Sequence, residues 1–199
     1  HENPLRREAA ARALGRTGSQ RAVEPLIHAL NDPDPWVQRA AADALGALRE
    51  EEAVGPLLAV LDDAHPSVKP GAAAALGRIG SPRALRGLIA ALGEPNPWLR
   101  RAAALALGRI GERAALGPLL NALEDEQAIV RQAAAQALGM LGDPAAVPHL
   151  AARLEDSGEH RLGRVRDAAA EALARIGTPE ALAALAAHEP HREHRPGDA

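Results

Sequence analysis

The chain has 199 residues, of which 47% are apolar, 25% charged and only 1% aromatic, and its formal net charge is -3. This apolar content is sufficient for a packed core and excludes a disordered chain, while the negative charge argues against a broad phosphate-binding surface for nucleic acid. The sequence contains no cysteine, which excludes disulfides, thiol nucleophiles and thiolate metal sites.

A repeat of 31 residues runs through the sequence. The triplet Ala-Leu-Gly recurs at 13–15, 44–46, 75–77, 106–108 and 137–139. A sixth copy at 172–174, which reads Ala-Leu-Ala, follows an insertion of four residues between Asp156 and Val165. A period of this length indicates stacked units of supersecondary structure. We therefore predict a single array at 1–189 and a flexible tail at 190–199, with repeats at about 2–32, 33–63, 64–94, 95–125, 126–156 and 157–189.

Each repeat predicts two helices joined by a turn. In the fourth repeat, Asn96-Pro97 opens a helix with apolar residues at three- and four-residue spacing, and Gly111 ends it. A second helix follows in the same repeat, and its apolar positions are Leu116, Leu119, Leu120 and Leu123. Glycine ends the first helix in the other repeats as well, except in the second repeat, where Arg49 takes the position. Because one hairpin cannot bury its apolar stripe alone, the copies must stack, which predicts an all-α, right-handed α-solenoid of about six hairpins.

Charged residues follow the same period. Acids close each unit at Asp32, Asp63, Glu94, Asp125 and Asp156, and basic residues lie near the start of the next first helix at Lys69, Arg100, Arg131 and Arg166. We interpret these charged residues as polar contacts between neighbouring repeats, since they recur with the same period as the stacked units. In the last repeat the apolar positions of the second helix become Leu185, Ala186 and Glu189, which predicts a C-terminal cap.

The repeat unit resembles a known family. Residues 34–46 read Asp-Pro-Trp-Val-Gln-Arg-Ala-Ala-Ala-Asp-Ala-Leu-Gly, and residues 53–58 read Ala-Val-Gly-Pro-Leu-Leu. This unit resembles the HEAT-like repeats named after phycocyanobilin lyases, over residues 3–188. The resemblance implies that the hairpins are HEAT-like. Proteins of this kind include bilin lyases, deoxyhypusine hydroxylase, DNA glycosylases and many non-catalytic scaffold proteins.

The resemblance to deoxyhypusine hydroxylase implies His-Glu pairs that hold two irons near the start of several first helices. At these positions the chain instead has pairs such as Arg39-Ala40 and Arg101-Ala102, and its His-Glu pairs, His1-Glu2 and His188-Glu189, lie out of register. We therefore expect no catalytic, cofactor-binding or metal-binding residues and no enzyme activity. The histidine-rich tail that begins at His188 remains open as a plain terminus or as a zinc or nickel site.

The second helices are expected to line a concave wall, and their non-core positions should face a partner. The polar positions of this wall are Glu24, His28, Arg86 and Asn121; the remaining ones are Gly55, Ala59, Ala90, Gly117, Pro148, Ala152, Ala183 and Ala187. A shallow wall suits an extended segment or helix of another protein better than a small molecule, which requires a closed pocket. We expect a non-catalytic interaction or scaffold module, and an accessory subunit of the bilin-lyase type that binds a chromophore is the alternative.

Two other features are candidate contacts. Trp36 and Trp98 follow a proline at the start of two first helices, where they either staple the helix start or, if exposed, anchor a partner. His160, Arg161 and Arg164 lie in the insertion, which is either a self-neutralised loop or a contact for an anion or an acidic partner. No segment has the length of a membrane span, so we expect a soluble, cytoplasmic protein without membrane or nucleic-acid partners. Because the chain starts at His1, we expect it to be part of a longer one.

Overall fold

The computed structural model of the chain describes residues 2–63, 65–160 and 163–188, and these contain twelve α-helices. The first helices of the six repeats are α1 (Pro4–Arg16), α3 (Pro35–Leu48), α5 (Lys69–Ile79), α7 (Pro97–Ile110), α9 (Ala128–Leu141) and α11 (Val165–Ile176). The second helices are α2 (Val23–Ala29), α4 (Val54–Asp63), α6 (Leu85–Ala91), α8 (Leu116–Ala122), α10 (Val147–Ala152) and α12 (Pro179–His188). The predicted all-α class of paired helices is confirmed.

The chain divides into two compact units, His1–Glu112 and Arg113–Ala199. In the first unit, α1 packs on α3, α3 on α5 and α5 on α7, and each second helix packs on the first helix that follows it. In the second unit, α9 packs on α11, α8 packs on α9, and α10 and α12 pack on α11. The boundary between the units falls between the two helices of the fourth predicted repeat, and the single array at 1–189 stays a prediction.

The first helices begin and end as the sequence predicts. Asp34 and Asn96 cap α3 and α7, since their side-chain oxygens accept the backbone N–H of Trp36 at 2.8 Å and of Trp98 at 2.9 Å. Left-handed glycines, with φ between 64° and 79°, follow or lie near the ends of five first helices: Gly18, Gly80, Gly111, Gly142 and Gly177. Arg49 takes the same conformation at the end of α3, with φ of 58°. The second repeat therefore keeps the left-handed turn although it lacks the glycine that favours this conformation.

Replacing Arg49 with glycine is expected to stabilise the protein by about 1 kcal/mol, because a side chain in the left-handed region carries a steric cost that glycine avoids. Urea unfolding followed by circular dichroism measures the change. Ala47→Gly, two residues earlier and inside α3, is the matched control and should lower stability by about 0.5–1 kcal/mol. A loss of stability in Arg49→Gly would contradict the strain assigned to this turn.

The core consists mainly of leucine, valine and alanine, with Ile129 also buried. Neighbouring first helices approach each other at the glycine of the Ala-Leu-Gly triplet. A Cβ atom on Gly15 would lie 2.6 Å from the Cβ of Ala44, and one on Gly77 would lie 2.6 Å from the Cα of Ala106. In the second unit, a Cβ on Gly139 would lie 2.8 Å from the Cα of Ala172. These distances are shorter than any methyl contact allows, so the close packing of the first helices requires glycine at this position.

The charged residues that recur with the repeat period, which we call the charged ladder, connect consecutive repeats, as predicted. The side chains of Lys69 and Arg100 donate to the carbonyls of Asp62 at 3.0 Å and of Glu94 at 3.0 Å, at the end of the preceding repeat. Arg131 donates to the carbonyl of Asp125 at 2.7 Å in the same way. The last member differs, because Arg166 Nε lies 3.8 Å from the carboxylate of Asp167 and has no hydrogen-bond partner among the described residues.

Two carboxylates of the ladder also pair with arginine side chains within their own repeat. Asp32 accepts hydrogen bonds from Arg7 Nε at 2.7 Å and Nη2 at 2.9 Å. Asp156 accepts them from Arg131 Nε at 2.8 Å and Nη2 at 3.0 Å. In each pair the arginine hydrogen bond lowers the pKa of the carboxyl below its usual value, although partial burial acts in the opposite direction.

This pairing predicts that acid weakens the second unit. A lowered pKa in the folded state stabilises the protein above the unfolded-state value of about 3.9, and the stabilisation is lost as the pH falls through the folded-state pKa. In Asp156→Asn, the free energy of unfolding should therefore fall less steeply between about pH 5 and pH 2 than in the parent. Adding Arg131→Gln to Asp156→Asn should change the slope little. Equal slopes in the parent and Asp156→Asn would contradict this account.

Candidate protein-binding surface

The non-core positions of the second helices are exposed to solvent. All twelve non-core positions predicted from the repeat register are exposed, six in each unit. We call this set the second-helix surface: Glu24, His28, Gly55, Ala59, Arg86, Ala90, Gly117, Asn121, Pro148, Ala152, Ala183 and Ala187. The repeat register therefore predicted the exposed face of every second helix, whereas the binding of a partner to it remains a prediction.

In the first unit this surface contains a groove of about 390 Å³ between α2 and α4. Its exposed lining is about equally polar and apolar and comes from the residues Ile27, Leu30, Asn31, Gln38, Pro56, Ala59 and Val60. The sequence had placed only Ala59 on the wall. By the repeat register Ile27 and Leu30 match the apolar positions Leu120 and Leu123 of the fourth repeat. The structure shows that they also line a groove.

The polar groups of the groove are two side-chain amides. Gln38 donates its Nε2 to the carbonyl of Asp32 at 2.8 Å, and its Oε1 is buried without a hydrogen-bond partner among the described residues. Asn31 is exposed and lies two residues beyond the end of α2. An apolar floor with the exposed amide of Asn31 beside it suits an extended segment that inserts one apolar side chain and pairs its backbone with that amide.

The polar residues predicted on the concave wall lie on three different helices. Glu24 and His28 lie one turn apart on α2, beside the groove, and Arg86 is exposed on α6 of the same unit. Asn121 lies on α8 in the second unit. In the described part of the chain no three histidine or acidic side chains form a group that could hold a metal ion.

The two tryptophans lie on the first helices. The exposed fraction is 63% for Trp36 and 42% for Trp98. Exposure of this size at Trp36 favours the anchor interpretation over the staple. Both residues occupy the first turn of their helices, α3 and α7, and neither lines the groove.

The insertion forms a short antiparallel ladder, with β1 (Glu159–His160) paired to β2 (Gly163–Arg164). Its base is fixed by Asp156, whose carboxylate accepts the backbone N–H of Gly158 at 2.7 Å while also binding Arg131. Arg164 is exposed and precedes α11. Arg161 and the side chain of His160 lie outside the described residues, so the predicted anion contact stays a prediction.

At the other end of the chain, His188 Nδ1 lies 3.0 Å from Glu155 Oε1 and connects the end of α12 to the residues that follow α10. The tail beyond it, with its candidate metal site, lies outside the described residues. Across the helices that are described, none is long and apolar enough to cross a bilayer. In α12, Ala181 is buried whereas Leu182 is 51% exposed, which agrees with the predicted cap.

Comparison with known proteins gives similar structures with paired helices. The chain is 27% identical, with a TM-score of 0.55, to the complex of CpcE and CpcF of phycocyanin lyase from Nostoc sp. PCC7120, over 94% of this chain and 74% of that one. It is 21% identical to computationally designed armadillo repeat proteins for modular peptide recognition, with a TM-score of 0.56 over 88% and 95% of the two chains. The Escherichia coli protein YibA is 23% identical, with a TM-score of 0.66 over 88% and 66%. No curated protein matches.

The paired helices and the 31-residue period define an all-α repeat protein of the solenoid class. The family model for HEAT repeats matches residues 1–66, 23–92 and 85–162, and the model for the PBS lyase HEAT-like repeat matches residues 165–188. The chain belongs to the HEAT repeat family.

Proposed function

We propose that this protein is a non-catalytic interaction module that binds an extended segment of another protein on its second-helix surface. The observation that carries the proposal is the groove between α2 and α4, which interrupts a surface of small side chains with a recess of about 390 Å³. The recess is large enough for one or two apolar side chains. Its openness to solvent and its mixed polar and apolar lining suit a peptide better than a substrate that must be enclosed for chemistry.

The residues around the groove indicate the features of the segment. Leu30 and Val60 are buried, and Ile27 is half-buried, so the floor offers apolar contact to a leucine, isoleucine or methionine side chain. Asn31 can both donate to and accept from a peptide backbone. The solved designed armadillo repeat proteins, described as serving modular peptide recognition, support binding of this kind by a related architecture.

Site-specific crosslinking tests the position of the partner. A photoreactive benzophenone amino acid is placed at Ala59 in the groove, or at the exposed Ala47 of α3 as the matched control, and each protein is irradiated in lysate from the source organism. We expect one protein to be crosslinked from position 59 and not from position 47. Equal products from both positions, or products from position 47 alone, would overturn the proposal.

A charge placed in the groove should abolish this binding. Ala59→Arg puts a guanidinium against an apolar floor, and we expect at least a tenfold loss of affinity for the crosslinked partner segment, since a buried uncompensated charge costs more than 1.4 kcal/mol. Ala47→Arg should bind as the parent does. Isothermal titration calorimetry with the partner segment measures both, and circular dichroism checks that both variants fold.

A second candidate function rests on the likeness to the phycocyanin lyase complex at 27% identity. In this function the chain is an accessory subunit of the bilin-lyase type and binds a chromophore. Adding phycocyanobilin to the protein and recording the absorption spectrum tests it, since a chromophore bound in a fixed conformation shifts its visible band. An unchanged spectrum at high protein concentration would exclude this function for the chain.

A further inference from the structure

A basic stretch lies in the middle of the chain. Residues 64–111 contain one acid, Glu94, whereas the whole chain has a formal net charge of -3. The basic residues of this stretch are Lys69, Arg78, Arg83, Arg86, Arg100, Arg101 and Arg109. The stretch includes α5, α6 and α7, and both α5 and α6 pack on α7. This part of the first unit therefore carries excess positive charge, which an anionic partner would complement.

Four of these basic residues have partners inside the chain. Arg78 and Arg83 form ion pairs with carboxylates of the second repeat. Lys69 and Arg100 donate hydrogen bonds to backbone carbonyls at the end of the preceding repeat. A fifth, Arg86, belongs to the second-helix surface. The excess charge that remains on the first helices of this stretch is therefore confined to two arginines.

These two arginines, Arg101 and Arg109, both lie on α7. Neither forms an ion pair or a hydrogen bond with any residue that the structure describes. Arg101 is half-buried, and its burial, together with the like charge of Arg109, lowers its pKa below the usual value. The acids nearest in sequence, Glu94 and Glu112, lie beyond the two ends of α7. A half-buried cation without a counter-ion is costly, and a bound carboxylate would reduce this cost.

The two arginines share one face of α7 with two apolar side chains. We call this set the α7 face: Trp98, Arg101, Leu105 and Arg109, which follow one another at three- and four-residue spacing. Trp98 is 42% exposed and Leu105 is half-buried. At a rise of about 1.5 Å per residue, Arg101 and Arg109 lie about 12 Å apart along the helix. An extended chain covers about the same distance in four residues.

The charges of the α7 face distinguish it from the equivalent faces of the other repeats. Acids occupy its register positions in the first, second and sixth repeats: Glu8, Asp43, Asp167 and Glu171. Glu8 in turn pairs with Arg12 at 2.6 Å. The third repeat has one cation there, Arg78, which is already paired, and the fifth repeat has no charged residue at these positions. Two arginines without an acid therefore occur together at α7 alone.

We propose that the α7 face binds an acidic segment of another protein, an extended stretch with two carboxylate residues four positions apart. These carboxylates pair with Arg101 and Arg109, since arginine and carboxylate form strong charge-assisted hydrogen bonds. An apolar residue of the segment contacts Trp98, which lies one turn before Arg101. The proposal is independent of the second-helix surface, because the α7 face lies on a first helix and none of its residues lines the groove.

A synthetic peptide tests the chemistry of the partner. The probe is a fluorescein-labelled peptide with two glutamates four positions apart and a leucine two positions before the first glutamate. The control peptide has glutamine in place of both glutamates. In fluorescence polarisation we expect the glutamate peptide to bind the parent about tenfold or more tightly than the control, and the difference to shrink as salt is added. Equal binding of the two peptides, or no binding of the glutamate peptide at about 1 mM, would overturn the proposal.

Variants of the protein test the position of the surface. Arg101→Gln combined with Arg109→Gln should weaken binding of the glutamate peptide by about tenfold or more. The matched control is Arg39→Gln combined with Arg16→Gln, which removes the same charge from the same register positions on α3 and α1. This control should bind as the parent does, and circular dichroism checks that both variants fold. Equal losses in the two double variants would overturn the assignment to α7.

A single-stranded oligonucleotide distinguishes an acidic protein segment from a nucleic acid. We expect an oligonucleotide of twelve thymidines to bind the parent more weakly than the glutamate peptide, because two paired arginines neutralise few phosphates. Tighter binding of the oligonucleotide, lost in the Arg101→Gln and Arg109→Gln variant, would overturn the assignment to a protein partner.

Discussion

Leu107→Ala is expected to lower the free energy of unfolding by about 2–5 kcal/mol, which is one of the two largest effects predicted for this protein. Leu107 is 0% exposed and belongs to the Ala-Leu-Gly triplet of α7. The truncation removes about three methylene-sized groups from an aliphatic core and leaves a cavity. Since the core has no phenylalanine or tyrosine side chain to move into the space, we expect little relaxation and a cost in the upper part of this range.

Urea denaturation followed by far-ultraviolet circular dichroism measures the loss. Leu182→Ala is the matched control, because Leu182 lies on α12 and is 51% exposed. This control should change stability by less than about 0.5 kcal/mol. A loss below about 1 kcal/mol for Leu107→Ala would contradict its assignment to the core.

Gly77→Ala is the second substitution with a large expected effect. We expect it to lower the free energy of unfolding, the opposite of the usual effect of this substitution inside a helix. In the interior of a helix, alanine is normally favoured over glycine by about 1 kcal/mol. At Gly77, however, the added Cβ would lie 2.6 Å from the Cα of Ala106 and 2.7 Å from its Cβ. Because the first of these atoms belongs to the backbone, α5 and α7 must move apart. We expect a net loss of about 1–3 kcal/mol from overpacking.

The matched control is the same substitution where there is space. Gly55 lies in α4 with no atom within 4 Å of an added Cβ. Gly55→Ala should therefore stabilise the protein by about 0.4–1 kcal/mol through helix propensity and a less flexible unfolded chain. The opposite signs of two identical substitutions identify helix contact as the cause. Stabilisation by Gly77→Ala would show that the first helices can separate without cost.

These stability effects bear on binding, because the groove depends on the spacing between repeats. Ile27 and Leu30 come from α2, whereas Pro56, Ala59 and Val60 come from α4, and the two helices pack on α3 and α5 respectively. The glycine contacts between first helices therefore influence the width of the groove that the proposed partner segment would occupy. We expect substitutions at Gly46 to weaken binding in the groove as well as stability.

The sequence alone determined the fold class and the faces of the helices. The period of the Ala-Leu-Gly triplet located both helices of each repeat, and the register of the second helices predicted all twelve exposed positions. These features follow from the sequence because helix periodicity decides which side chains share a face, and a repeat multiplies the same signal several times. The glycine turns were predictable for a similar reason, since left-handed backbone favours one residue type.

Only the tertiary structure decided features that depend on the positions of particular side chains and turns in space. It placed Ile27 and Leu30 in a groove, showed that Arg49 adopts the conformation of the missing glycine, and divided the chain between α7 and α8. It also showed which charges of the ladder pair through their side chains: Arg131 reaches the carboxylate of Asp156, whereas Lys69 binds a carbonyl. Such choices depend on distances between helices to within about 1 Å, and a one-dimensional pattern contains no such distances.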